Sequence, residues 1–141
     1  MITNEKLNKI SLPLLRFGLA FVFLWFGFQQ LQNPEQWISF LPFFVSSLPI
    51  SGEQFVLLNG LFEVIGGTLL VFGTFTNIVA FILSIHLFSI ALSVGFNSIA
   101  VRDIGLAFAM LYIAISGAGT FSIDSFIKKR KEVKLNEWVT K

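Results

Sequence analysis

Two ionisable side chains stand deep inside long apolar runs, Glu63 within 54–73 and His86 within 77–96. A carboxyl and an imidazole are the groups most used for general acid–base work, because each holds or releases a proton near neutral pH. An ionisable residue at the centre of a membrane helix costs about 2.5–3.5 kcal/mol on insertion scales, so it faces a bundle interior or a cavity. Three chemistries fit such a pair: a proton relay, hydrogen bonding to a buried ligand, or a structural carboxyl tied to its neighbours. One histidine and one glutamate do not make a metal site. The chain has no cysteine, which excludes thiolate catalysis, disulfides and Cys-ligated clusters within it.

The elements that carry these residues follow from composition. Of 141 residues, 55% are hydrophobic, 18 are phenylalanine and only 13% are charged, against about 25% charged in a soluble domain. Mean hydropathy is +0.79. Ten Lys and Arg and eight Asp and Glu residues are present, three of them in 1–11, nine in 121–141 and six in the 109 residues between. A soluble globule, a disordered chain and a nucleic-acid binder are thereby excluded. A lipid bilayer is the implied partner.

A hydrocarbon core about 30 Å thick needs roughly 20 helical residues. Four segments meet that length: about 12–31, 54–73, 77–96 and 101–120. Lipid cannot satisfy open strand edges, so the fold class is all-α, an integral membrane four-helix bundle. The first span is expected to stay, since Gln29 to Pro34 offers no small-x-small cleavage site. The segment 32–53, with Pro34, Trp37, Pro42 and Pro49, is too long for a tight turn, and its apolar run 37–45 is too short to cross. It predicts either a short interfacial helix or a cap over the bundle. Residues 1–126 form the membrane domain and 127–141 a basic cytoplasmic tail. The 128–131 run Lys-Lys-Arg-Lys is expected to act as a stop signal, with anionic lipid binding as the alternative. Nine of the ten basic residues lie in 6–16 or 128–141, and Arg102 is the tenth. Basic residues favour the cytoplasmic side, so both termini are expected there, in the cell membrane. Arg16 is expected to snorkel to that interface.

Hairpin symmetry relates the polar positions. A turn near 74–75 puts Glu63 and His86 at one depth, and a turn near 98–99 puts His86 level with 111, beside Tyr112. At helical spacing Asn59, Glu63 and Gly66/Gly67 share a stripe, as do His86, Ser89 and Ser93, and Gly105, Ala109, Tyr112 and Ser116. Each stripe is expected to face inward. Glu63 and His86 are thus the candidate proton or hydrogen-bond pair. Asn59, Tyr112, Arg102 and Asp103 are the candidate ligand-binding residues. Arg102 and Asp103 are expected at the outer mouth, with Asp103 in the first turn of helix four, where an acid complements the helix dipole.

A set of motifs covers nearly the whole chain, roughly 12–126. Leu15-Arg16-Phe17-Gly18 leads to Trp25-Phe26-Gly27-Phe28-Gln29-Gln30-Leu31. Then come Gly60-Leu61-Phe62-Glu63-Val64-Ile65-Gly66-Gly67 with Gly73 beyond, Arg102-Asp103-Ile104-Gly105-Leu106-Ala107, Gly117-Ala118-Gly119 and Ser122-Ile123-Asp124. Their order and spacing resemble the DoxX family of small four-helix membrane proteins. The family takes its name from a membrane subunit associated with thiosulfate:quinone oxidoreductase, and related proteins are linked to redox maturation. The resemblance implies an accessory or quinone-binding subunit of a membrane redox system. Quinone would be the cofactor, and a redox partner protein or a second copy the partner. A quinone needs an apolar slot with a few donors at its carbonyl oxygens, and His86, Tyr112 and Arg102 are of the right type. Three departures stand out: Gln30 where the family often has Lys, Asn77 for a frequent Arg, and Ala118 for the Pro of a Gly-Pro-Gly turn. The first two remove positive charges near the membrane surfaces. With one histidine, no cysteine and no nucleotide-binding glycine loop, the chain has no electron carrier of its own. The residues themselves also allow a small proton-coupled transporter or a non-catalytic anchor or assembly protein.

Overall fold

Apolar runs in lipid leave the backbone no partner but itself, and helix is the result. A computed structural model describes residues 4–139, and Lys141 of the basic tail and the side chain of Lys6 lie outside the described residues. The elements are α1 (Asn4–Gln32), two 3₁₀ segments (Pro34–Phe40 and Phe43–Ser47), α2 (Gly52–Phe72), α3 (Thr76–Ser93), α4 (Ser98–Ser116) and α5 (Ile123–Val139). Four stretches are long and apolar enough to span a membrane: Lys9–Gln32, Gly52–Phe72, Thr76–Ser93 and Ser98–Ser116. Only 28–39% of each span is buried inside the bundle, so most of every helix surface, including the excess phenylalanines, is left for lipid.

Capping sets the boundaries. The α2 start is a capping box, with Gln54 N donating to Ser51 Oγ and Ser51 N to Gln54 Oε1. Asn97 Oδ1 accepts from the backbone N–H of Ile99 and Ala100 at 2.8 and 3.0 Å, which starts α4 at Ser98 instead of near 101. Asp103 therefore lies past the first turn and cannot act as an end-cap. Gly73 ends α2 with φ 63, and a Cβ there would overlap Arg16 Nη1 and Ser122 Cβ, so the position needs glycine for space as well as dihedral. Phe75 follows with φ 50; its N–H and that of Thr76 donate to the two Asp124 carboxylate oxygens, at 3.0 and 2.8 Å.

The helices pair as α1 with α2 and α3 with α4, while α2 and α3 touch more sparsely. The α1–α2 crossing rests on glycine: a Cβ on Gly27 would lie 2.8 Å from Gly60 O, and one on Gly60 would lie 2.9 Å from Gly27 O. Gly27→Ala and Gly60→Ala should each cost about 1–3 kcal/mol as overpacking. At Gly18 and Gly105 an added methyl would meet nothing within 4 Å, and there alanine should be neutral or stabilising by up to about 1 kcal/mol through helix propensity. Thermal unfolding in detergent separates the two pairs; equal shifts at all four positions would contradict the crossing. The apolar core (Leu19, Ala20, Phe23, Leu70, Leu83, Met110, Ile113) fills the half of the bundle nearer the termini. There Ser84 Oγ donates to Ala107 O across α3 and α4 at 2.8 Å.

One expectation is corrected. Arg16 does not snorkel: its residue is 0% exposed, and its guanidinium donates from Nη1 to Ala118 O and from Nη2 to Phe121 O. Freed carbonyls in the α4–α5 link give it better partners than the interface would. The basic tail belongs to the helix α5, begun at Ile123 and held by Asp124 against the start of α3. The interfacial segment after α1, expected as a short helix or a cap, is two 3₁₀ pieces separated at Leu41-Pro42 that cap the bundle, with Val45 buried and Phe43 91% exposed.

Candidate functional site

The site grows from one carboxylate. Glu63 is 3% exposed on the inner face of α2, between the close-packed Gly60 and Gly66/Gly67. Three donors aim at it. Asn59 Nδ2, one turn earlier, reaches Oε1 at 3.0 Å; Gln30 Nε2 from α1 reaches Oε2 at 3.0 Å; His86 Nε2 from α3 lies 3.1 Å from Oε1. Asn59 Nδ2 also donates to Gln30 Oε1 at 2.7 Å. Four side chains from three helices thus form one closed network, and a low-dielectric setting strengthens each bond in it. The His86 ring stands edge-on to Phe62 with centroids 5.0 Å apart, which fixes its orientation.

This network forms part of the wall of a cavity of about 500 Å³ in the half of the bundle away from the termini. Pockets of roughly 300–1,000 Å³ are the usual size for small-molecule sites. The rest of the wall is mostly apolar and aromatic. Phe23 and Phe26 come from α1, Trp37 and Phe40 from the cap, Phe55 from α2, and Leu87 and Ile90 from α3. Trp37 meets Phe26 edge-on at 5.8 Å and Phe44 meets Phe55 at 6.4 Å, so aromatic contacts tie the cap to the bundle. Arg102 and Asp103 line the same space. Asp103 is 3% exposed; Arg102 Nε and Nη2 each lie 2.9 Å from Asp103 Oδ1, and the guanidinium stacks over Phe26 at 5.3 Å.

Glu63, His86, Asn59, Arg102 and Asp103 are therefore brought to one cavity, and Tyr112 is not. Tyr112 is 57% exposed on the outer face of α4, because the buried stripe of that helix is Asp103, Ala107, Met110 and Ile113. Gly105, Tyr112 and Ser116 are likewise exposed, so the α4 stripe drawn from small and polar residues points outward. Ser89 and Ser93 do line the cavity, but each hydroxyl donates to its own helix, to Ile85 O and Ser89 O. Gln30 was not among the sequence candidates. Its signal was modest: a buried-side amide in the Gln29-Gln30 pair at the end of an apolar span.

A bundle of four apolar helices with an aromatic cavity and a Glu–His pair in its wall defines a multi-pass membrane protein. The DoxX family model matches residues 11–96, which include Gln30, Asn59, Glu63 and His86, and the chain belongs to the DoxX family. It is 27% identical over 139 residues to a protein of Haemophilus influenzae described as uncharacterized, covering 89% of this chain and 97% of that one. No solved structure matches it.

Proposed function

We propose that the chain binds a quinone in the cavity between the four spanning helices and the cap, as an accessory subunit of a membrane redox system. The observation that carries this reading is the Glu63–His86 pair set in the wall of a largely aromatic slot. A flat ring would have Phe26, Trp37 and Phe40 to stack on, with Arg102 and Gln36 in the same wall as donors to its carbonyl oxygens. A bound quinone supplies two-electron redox chemistry coupled to proton uptake. Glu63 and His86 would hold and deliver protons, and the apolar wall would keep bulk water from competing. With no cysteine and a single histidine, the electrons come from a partner protein. The termini are assigned to the cytoplasmic side of the cell membrane, which places the cavity in the outer half; reporter fusions after Lys141 and within 46–52 should read opposite sides, with the first cytoplasmic.

The test is binding by the purified full chain. Quinones extracted with the protein should exceed those of a control membrane protein. A short-chain quinone should quench tryptophan fluorescence saturably, with the quench lost in Trp37→Phe. Non-saturable partitioning, unchanged by Trp37→Phe, would remove the quinone reading and favour a non-catalytic assembly role.

A further inference from the structure

We propose that α5 is an interfacial helix that binds anionic phospholipid headgroups of the leaflet on the side of the termini. Its first residues are fixed to the bundle: Asp124 accepts from Phe75 N and Thr76 N, and Asp124 N donates to Gly73 O at 3.0 Å. Beyond that anchor the helix leaves the bundle, and every residue from 126 to 136 is exposed. A helix of 17 residues this exposed is marginal in water. Something must cover it, and its side chains say what.

Ile123, Phe126, Ile127 and Val133 recur at i, i+3, i+4 and i+10, which places them along one side. Phe126 is 63% exposed. Arg130 falls on the same side and its guanidinium lies 5.7 Å from the Phe126 ring centroid, stem along the apolar surface and charge at its edge. Lys128, Lys129, Lys131 and Lys134 add positive charge, against Asp124, Glu132 and Glu137. Arg130 and Lys134 stand among the apolar positions at helical spacing, so α5 is a basic helix with exposed apolar side chains between its charges, and its excess of lysine and arginine matches an anionic headgroup layer. The anchor at Asp124 sits at the end of the spanning helices, so α5 starts at the membrane surface. A run of this kind next to a span draws on the order of 1 kcal/mol per basic side chain, about fivefold in binding, from an anionic leaflet. The 128–131 run thus does more than stop translocation.

The full chain is reconstituted in nanodiscs of phosphatidylcholine alone or with phosphatidylglycerol, and amide exchange is followed by mass spectrometry. Residues 126–136 should exchange at least roughly tenfold more slowly in the anionic discs, and high salt should erase the difference. The combined variant Lys128→Gln, Lys129→Gln, Arg130→Gln, Lys131→Gln should exchange alike in both discs, with the melting of the bundle unchanged. Equal wild-type rates in the two lipids would overturn the proposal, whether α5 is then free or serves an acidic protein. Slow, salt-insensitive exchange retained by the variant would overturn it equally.

Discussion

Glu63→Ala is expected to destabilise the bundle by roughly 3 kcal/mol or more and to abolish quinone binding, whereas Glu63→Gln should fold close to normally. The carboxylate is the acceptor for Gln30 Nε2, Asn59 Nδ2 and His86 Nε2. One interhelical hydrogen bond in a membrane protein contributes only about 0.6 kcal/mol on average. A buried donor left without any acceptor costs about 1–3 kcal/mol, and alanine strands Gln30 Nε2 and His86 Nε2 at once, while Asn59 Nδ2 keeps Gln30 Oε1. The unmet groups, not the lost bonds, set the size of the effect. Glutamine keeps the shape and one acceptor oxygen, and rotation of the Gln30 amide can accommodate the new NH₂ group. It cannot hold a proton for transfer. Thermal unfolding in detergent gives the stability arm, and quinone-dependent proton uptake with the redox partner gives the functional arm. A Gln variant that folds and still supports proton uptake would leave Glu63 a structural carboxyl. An Ala variant as stable as wild type would show that water fills the gap and that the network is not dry.

Arg16→Ala is expected to lower stability by about 2–4 kcal/mol, because two carbonyls, one buried and one partly buried, lose their donor at about 1–3 kcal/mol for a buried group. Arg16 is fully buried and spans two carbonyls from the α4–α5 link, Ala118 O and Phe121 O. Its guanidinium also packs against Gly73, where α2 turns into α3. Lysine carries the charge but offers a single point where the site needs a fork, so Arg16→Lys should recover only part of the loss. Arg16→Met restores volume without donors and should also fall short. Because the link carries Asp124 to the start of α3, amides of 117–124 should exchange faster in the alanine variant while those of the Glu63 network do not. A melting temperature unaltered by Arg16→Ala, or exchange unaltered in the link, would show that the clamp is incidental.

Composition and spacing determined a good deal by themselves. Four apolar runs of the right length, with charge confined to the ends, leave an α-helical membrane bundle as the available solution, because unpaired backbone is too costly in lipid. Depth was legible as well. Hairpins with turns of known position place Glu63 and His86 at one level, and their side chains meet at 3.1 Å. Rotation about each helix axis was not legible, because it depends on which neighbour approaches and how closely. On α2 the glycines next to Glu63 disclosed the inner face. On α4 the small and polar residues Gly105 and Ser116 pointed to the wrong face, since lipid accepts small side chains as readily as a neighbouring helix does, and Tyr112 went outward with them while Ala109 stayed half-buried. Gln30 and Arg16 became interior residues only through partners on other helices, Glu63 with Asn59 in one case and the α4–α5 link in the other. Those partners lie 29 to 105 residues away in sequence. A polar group in a membrane span must find a partner, and only the tertiary packing decides which one is within reach.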